Sequence, residues 1–362
     1  MSLNPDHPLP LGSTIGILGG GQLGRMLALA AARLGMKTHI YCPDPHSPAF
    51  DVTPRSTVAA YDDERALAVF ASRVDVVTYE FENVPLPTAR FLAGLKPLRP
   101  GANALGIAQD RLAEKAFLTI NRVPVAPFAA IAAPETLTAE LKEIGTPAVL
   151  KTTRLGYDGK GQRLINKRKD AAAAFEALSP KPLVLEAFVP FDKEISVVVA
   201  RGIDGTIAAY EPAENVHRDH ILKTSTVPAR IRGRTSAAAI EIAGRIASAL
   251  DYVGVLGVEF FVLAGGKLLV NEIAPRVHNS GHWTEAVCVT DQFEQHIRAI
   301  CGWPLGDTRR LADVVMHNLI GDEIDTIPSA LTGNDRPQLY GKTETRPGRK
   351  MGHLNRVARK SP

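Results

Sequence analysis

Short apolar runs alternate with stretches of helical period along the first hundred residues. Thr14 to Leu18 is an apolar strand, Arg25 to Leu34 is helical in pattern, and Lys37 to Tyr41 is again strand-like. A helix at Glu64 to Ser72 and a strand at Val74 to Tyr79 continue the alternation, which predicts a parallel α/β unit. The unit closes near Pro100, in the loop LKPLRPGANA.

The pattern then changes. A helix from Arg111 to Leu118 leads to strands at Ala148 to Lys151, Arg163 to Ile165 and Leu183 to Phe188, with a helix at Asp170 to Leu178 between them, a small α+β unit. A strand at Glu194 to Ala200 and an amphipathic helix at Ala237 to Leu250 lead into VGVLGVEFFVLAGGKLLVNEIAPRVHNSGHW, which reads as one β-hairpin. The final stretch is rich in Pro and Gly with short strand-like pieces. No internal repeat or low-complexity tract is visible.

In that hairpin a two-residue turn at Gly265-Gly266 makes Glu259 and Glu272 direct cross-strand partners. Like charges so placed destabilise a pair of strands, so a bound cation is the natural reason to keep them. An all-oxygen donor set favours magnesium or manganese over zinc, and such ions usually arrive with phosphates.

Composition narrows the partners. The 362 residues are 45% hydrophobic and 22% charged, with a net charge of +4, which suits a globular chain of two or three domains acting on small anions rather than nucleic acid. Cys42, Cys288 and Cys301 share no metal-type spacing and form no disulfide framework. With no leader-like N-terminus and no apolar run long enough to span a bilayer, the reading is a soluble, cytoplasmic protein.

The other motifs admit two readings each. Gly19-x-Gly21-x-x-Gly24 lies between a strand and a helix, with Asp44 downstream, as a dinucleotide site requires; any anion or polar substrate edge could use the same turn. TYEFEN places Glu80 and Glu82 at a strand end, where open parallel sheets bind ligands or simply meet solvent. Lys151 before Gly156, Gly159 and Gly161 is either the start of a plain surface loop or, as the glycines around Tyr157 and Asp158 favour, a phosphate clamp beneath a mobile lid. Glu186 and Glu194 flank a turn that is either a ribose-binding hinge or an ordinary connection. Arg276, His278, Asn279 and His282 beside the dicarboxylate form an anion and proton-transfer environment. Lys342, Arg346, Arg349, Lys350 and His353 are a basic cluster or a solvated tail.

Together, GQLGRM, TYEFENV, GYDGKGQ, NEIAPRVHNSGHWT and RPGRKMGH, spanning residues 19 to 353, resemble the ATP-grasp superfamily and, within it, the 5-(carboxyamino)imidazole ribonucleotide synthases. The resemblance implies an α/β chain, α+β overall. A Rossmann-like pre-ATP-grasp domain (1–109) would be followed by a lid subdomain (110–190), the main catalytic subdomain (191–300) and a β-rich C-terminal segment (301–362). It implies ATP, magnesium or manganese, bicarbonate and aminoimidazole ribonucleotide as ligands, and a homodimer.

Carried over by position, Arg111, Lys151 and the lid Gly156, Tyr157, Asp158, Gly159, Lys160, Gly161 and Gln162 would hold the phosphates. Backbone groups of Glu186, Ala187, Phe188 and Val189 would meet adenine, Glu194 the ribose, and His217 would lie beside the nucleotide. Glu259 and Glu272 would hold the metal, with Asn271 adjacent. Gln22, Leu23, Glu80, Lys342 and Arg349 would bind the ribonucleotide, and Arg276, Tyr157, Asp158, His278 and Asn279 would serve the chemistry.

One departure stands out: the superfamily pattern E-x-N-x-R reads Glu272-Ile273-Ala274-Pro275-Arg276, with alanine at the asparagine. The alternatives are a formate-dependent glycinamide ribonucleotide transformylase, an NAD-dependent oxidoreductase built on the glycine turn, and a nucleotide-sensing binding protein.

Overall fold

The computed structural model describes residues 7–156 and 159–361. Its N-terminal sheet is parallel, in the order Arg55–Thr57, Lys37–Tyr41, Thr14–Leu18, Val76–Tyr79. The helix Gln22–Arg33 follows the first strand and buries Leu23, Met26, Leu27, Ala30 and Ala31, the spacing of one apolar face. Crossover connections of this kind set the carboxyl ends of Thr14–Leu18 and Val76–Tyr79 side by side, so the glycine turn and Glu80 share one crevice.

A nine-stranded sheet forms the centre. Leu268–Ala274, Gly254–Val262, Lys193–Arg201, Ala213–Arg218 and Ile221–Val227 lie side by side. Asp313–Ile320, Lys350–Ala358 and Asp335–Leu339 extend the same sheet, so the C-terminal strands continue it without a break. The helix Gly233–Ala249 covers one face with Ala239, Ile242, Ala243, Ile246 and Ala247, packed in one core with Ile195, Val197, Leu256, Val258 and Phe260. A separate four-stranded sheet, ordered Phe128–Ile131, Leu183–Ala187, Ala148–Thr152, Gln162–Ile165, has its own core around Leu137, Leu141, Leu150 and Leu185.

His296 ties the N-terminal and central sheets together. Its Nδ1 accepts from the Val255 amide at 3.1 Å, so the proton sits on Nε2, which meets Thr78 Oγ1 at 2.9 Å. Burial pushes its pKa down to about 3. A folded value below the unfolded one means stability is present above about pH 6.5 and is lost as pH falls toward the folded value, by up to about 1.4 kcal/mol per pH unit. The melting temperature is therefore expected to drop between pH 6.5 and 4.5, with a shallower slope in His296→Gln; equal slopes would contradict this.

Candidate active site

The dicarboxylate hairpin pairs Glu259 with Glu272, but by a different route from the one expected. The turn is a 3-10 turn at Ala264–Gly266, with Gly265 at φ 78, and near it Val262 pairs with Leu268 and Phe260 with Val270. That register would face Glu259 toward Asn271. A bulge leaves Asn271 unpaired and restores the carboxylate pair, so an extra residue in one strand replaces the symmetric two-residue turn.

Burial, then the charge of Glu272, pushes the Glu259 pKa up to about 7. His278 Nε2 lies 3.4 Å from Glu259, and Arg111 lies 3.7 Å from Glu272. Among the described residues no group of three or more His, Cys, Asp or Glu is arranged to hold a metal. Two opposed carboxylates beside Asn271 are an oxygen-only, incomplete donor set, which fits magnesium whose remaining ligands are nucleotide oxygens and water. Ala274 sits on the strand opposite Gly257 and offers no side-chain donor.

Below the hairpin, Lys151 and the buried Lys115 share the Glu186 carboxylate at 3.0 and 3.3 Å. Burial opposes the Glu186 charge, yet the two lysines hold its pKa below the ordinary range. Arg111 donates to the Gly156 carbonyl at 2.7 Å and so joins the glycine loop to the dicarboxylate hairpin. Glu114 accepts from the Ile273 amide at 2.6 Å, and burial pushes its pKa up to about 8. Glu194 pairs with His217 at 2.8 Å, and that bond raises the imidazole pKa against the opposing effect of burial. The half-exposed Phe191 stacks on Phe261, ring centres 4.8 Å apart, a platform for a flat heterocycle.

The glycine turn is already filled. Glu80, buried, accepts from Gly21 N at 2.7 Å and Gly24 N at 2.9 Å. A carboxylate of the chain thus occupies the helix N-terminus where a pyrophosphate would lie. Asp44 accepts from the His46 amide within its own turn. The dinucleotide reading fails on this geometry. A Cβ on Gly21 would come within 2.6 Å of Glu80 Oε1, so Gly21→Ala is expected to eject that carboxylate and cost about 1–3 kcal/mol. An unchanged melting temperature would refute this.

Glu82, the other carboxylate at this strand end, is in a short ion pair with Arg276. Although burial opposes it, Arg276 pulls the Glu82 pKa down to about 2. Arg276 therefore spans from the hairpin to the N-terminal sheet. Asn279 faces the same space with both amide atoms buried and without a partner among the described residues.

One cavity of about 970 Å³ gathers most of the expected residues, from Gln22, Leu23 and Glu80 through Arg111, Lys151 and Glu186 to Glu259, Glu272, Arg276, His278 and Asn279. Gly161 is off its wall, its carbonyl accepting from Thr152 N at 2.8 Å. Tyr157 and Asp158 lie outside the described residues. Lys342 and Arg349 line an adjoining cavity of about 380 Å³, whose wall also includes Gln22 and Glu80. Burial, then Arg349, pushes the Lys342 pKa down to about 8. The basic cluster is thus divided: Arg346 is at the surface on Glu344, whereas His353 is fully buried.

Sequence reasoning missed Lys115, the pairing of Glu82 and the Phe191–Phe261 stack. A lysine on the inward face of the helix Arg111–Ile120 was the available signal for Lys115.

The chain matches the ATP-grasp domain family over residues 116–293, the ribonucleotide synthetase preATP-grasp domain over 12–109, and the phosphoribosylaminoimidazole carboxylase C-terminal domain over 314–361. It is 54% identical to N5-carboxyaminoimidazole ribonucleotide synthase of Brucella melitensis, covering 96% of each chain. It is 41% identical to that of Bacillus subtilis, covering 95% of this chain and 91% of the relative. A crystal structure of an ADP complex of N5-carboxyaminoimidazole ribonucleotide synthetase superposes with a TM-score of 0.94 at 43% identity, covering 97% of this chain and 94% of the other. The synthase of Aspergillus clavatus, in complex with ADP and 5-aminoimidazole ribonucleotide, superposes with a TM-score of 0.90 at 31% identity, covering 96% and 94%. Among the described residues no helix is long and apolar enough to cross a membrane.

Proposed function

The chain belongs to the N5-carboxyaminoimidazole ribonucleotide synthase family of ATP-grasp ligases, and from that premise we propose how its residues divide the reaction. The enzyme carboxylates 5-aminoimidazole ribonucleotide with bicarbonate at the expense of ATP, a step of purine biosynthesis. One observation carries the division of labour: a single cavity joins the Glu259–Glu272 pair to Arg276 and to the Glu80 crevice.

ATP lies with its phosphates toward Arg111 and Lys151 and its base near Glu186 to Val189, beside the Phe191–Phe261 stack. Glu194 and His217 meet its ribose. Glu259 and Glu272 would hold magnesium, or manganese, and the ion would supply charge neutralisation to the phosphates. A bicarbonate oxygen attacks the γ-phosphorus and ADP leaves, giving carboxyphosphate, whose charge Arg276 faces. The exocyclic amine of the ribonucleotide forms the new C–N bond to the carboxyl carbon as the bond to phosphate breaks, and the departing phosphate takes up the amine's proton. Gln22, Leu23 and Glu80 hold that substrate, with its phosphate toward Lys342 and Arg349. Enclosure protects an anhydride that water would destroy. The setting proposed is a cytoplasmic homodimer, which sedimentation velocity tests.

The assay is ADP release with ATP, magnesium and bicarbonate. Release is expected to rise when aminoimidazole ribonucleotide is added and to collapse when formate replaces bicarbonate. Release indifferent to the ribonucleotide would sink the assignment.

A further inference from the structure

Behind His278 runs an unbroken line of buried side chains that the reaction described above does not use. Ser225 Oγ donates to Asn215 Oδ1 at 2.7 Å, and Asn215 Nδ2 donates to Ser196 Oγ at 2.9 Å. Ser196 Oγ donates to Ser280 Oγ at 2.6 Å, and Ser280 Oγ stands 2.8 Å from His278 Nδ1. Ser196, Ser225 and Ser280 are at most 1% exposed, and Asn215 is 5% exposed. The three inner residues sit on neighbouring strands of the central sheet, and Ser196 is the register partner of Glu259.

The direction of the line follows from proton counting. Ser196 accepts from the Asn215 amide and, by the geometry of its bond to Ser280, donates its own proton there. Ser280 accepts that proton and has one of its own left, for His278 Nδ1. A second, independent donor agrees: the Ser280 backbone N–H also points at Nδ1, at 3.4 Å. An imidazole nitrogen that accepts from two donors carries no proton, which places the ring proton on Nε2.

The ring itself is fixed. Gln292, fully buried, accepts from the His278 amide at 2.9 Å and donates to its carbonyl at 2.8 Å. The imidazole rests on Gly257, where a Cβ would come within 2.8 Å of it. Nε2 then faces the cavity, 3.4 Å from Glu259.

We propose that Ser280, Ser196 and Asn215 are positioning residues that hold His278 as a fixed Nε2–H hydrogen-bond donor to the cavity. His278 is accordingly a donor to anionic ligand oxygens and not the base that takes a proton from the attacking amine. The assignment of a substrate-facing role rests on the proposed carboxylation; the tautomer does not.

Two measurements separate these. Long-range proton–nitrogen NMR of the whole enzyme carrying ring-labelled histidine, with His278 identified by its disappearance in His278→Gln, should show Nδ1 without a proton and Nε2 with one. Protonated Nδ1 in the parent enzyme overturns the proposal with no variant needed. Ser280→Ala should move the His278 signals toward a mixed tautomer and lower kcat about tenfold with KM for ATP unchanged, the scale expected when a partner orienting a functional histidine is lost. Ser280→Thr, which keeps the hydroxyl, should restore both. Unaltered His278 signals and kcat in Ser280→Ala overturn it. If instead the parent releases ADP independently of the ribonucleotide while the NMR result holds, the reaction assignment fails and the positioning line stands.

Discussion

Glu272→Gln is expected to lower ADP release roughly a thousandfold, about 4 kcal/mol of transition-state stabilisation, without lowering the melting temperature of the ligand-free protein. The two outcomes separate because Glu272 and Glu259 oppose one another directly. The Glu259 pKa, pushed up to about 7 by burial and then by Glu272, lies above the ordinary carboxylate value. Its sign is therefore that of a group whose stability contribution is complete at acid pH and lost as pH rises through 7. Glutamine at 272 removes part of that loss while removing one carboxylate of the proposed metal site. At pH 8 the variant should melt no lower than the parent and should fail to gain stability from magnesium with ATP. Normal turnover in this variant would remove the metal role.

The second large effect is at Arg276. With Nε on Glu82 and Nη1 on the Val277 carbonyl at 3.2 Å, its guanidinium is fixed in orientation where hairpin and N-terminal sheet meet. Arg276→Ala is expected to cost roughly a hundredfold to a thousandfold in kcat, the range for losing one preorganised charge-stabilising donor. Glu82→Gln, which keeps the shape and removes only the partner charge, should cost about tenfold, because orientation is loosened while the cation stays. Steady-state kinetics on both variants checks the order. A larger loss in Glu82→Gln would mean that Arg276 serves chiefly to dock the two parts.

How much of this could be read from the chain depended on whether a contact is local. The alternation before residue 80 places the strands Thr14–Leu18, Lys37–Tyr41 and Val76–Tyr79 within a residue or two, because apolar period sets them, but it misses the edge strand Arg55–Thr57, which is short and largely exposed. The parallel sheet and the ATP-grasp architecture followed. The strands Ala213–Arg218 and Ile221–Val227 escaped notice because each mixes charged and apolar residues, and both are held by neighbours distant in sequence.

At the site, the carboxylate pair was legible although its cause was not. A symmetric glycine turn and a bulge at Asn271 give the same opposed pair, and spacing cannot tell them apart. The glycine turn misled in the other direction. Its spacing suits a pyrophosphate, but Glu80, 59 residues beyond Gly21, fills it. Nothing in a spacing records which side chain arrives from another strand. Lys115 with Glu186 and Glu82 with Arg276 were hidden for the same reason, the second pair being 194 residues apart.

The bulge also makes the hairpin a practical handle. Beyond Asn271, Glu259 is held in place by its pairing with Ser196 on the next strand, independently of how the tip is closed. Ala264, Gly265 and Lys267 at that tip are exposed, and a Cβ on Gly265 meets nothing within 4 Å. The strand runs three residues past Glu259, about 10 Å, before the turn begins. A short reporter peptide spliced in at Gly265 should thus ride on the carboxylate hairpin and signal nucleotide loading from outside, leaving the carboxylates where they are.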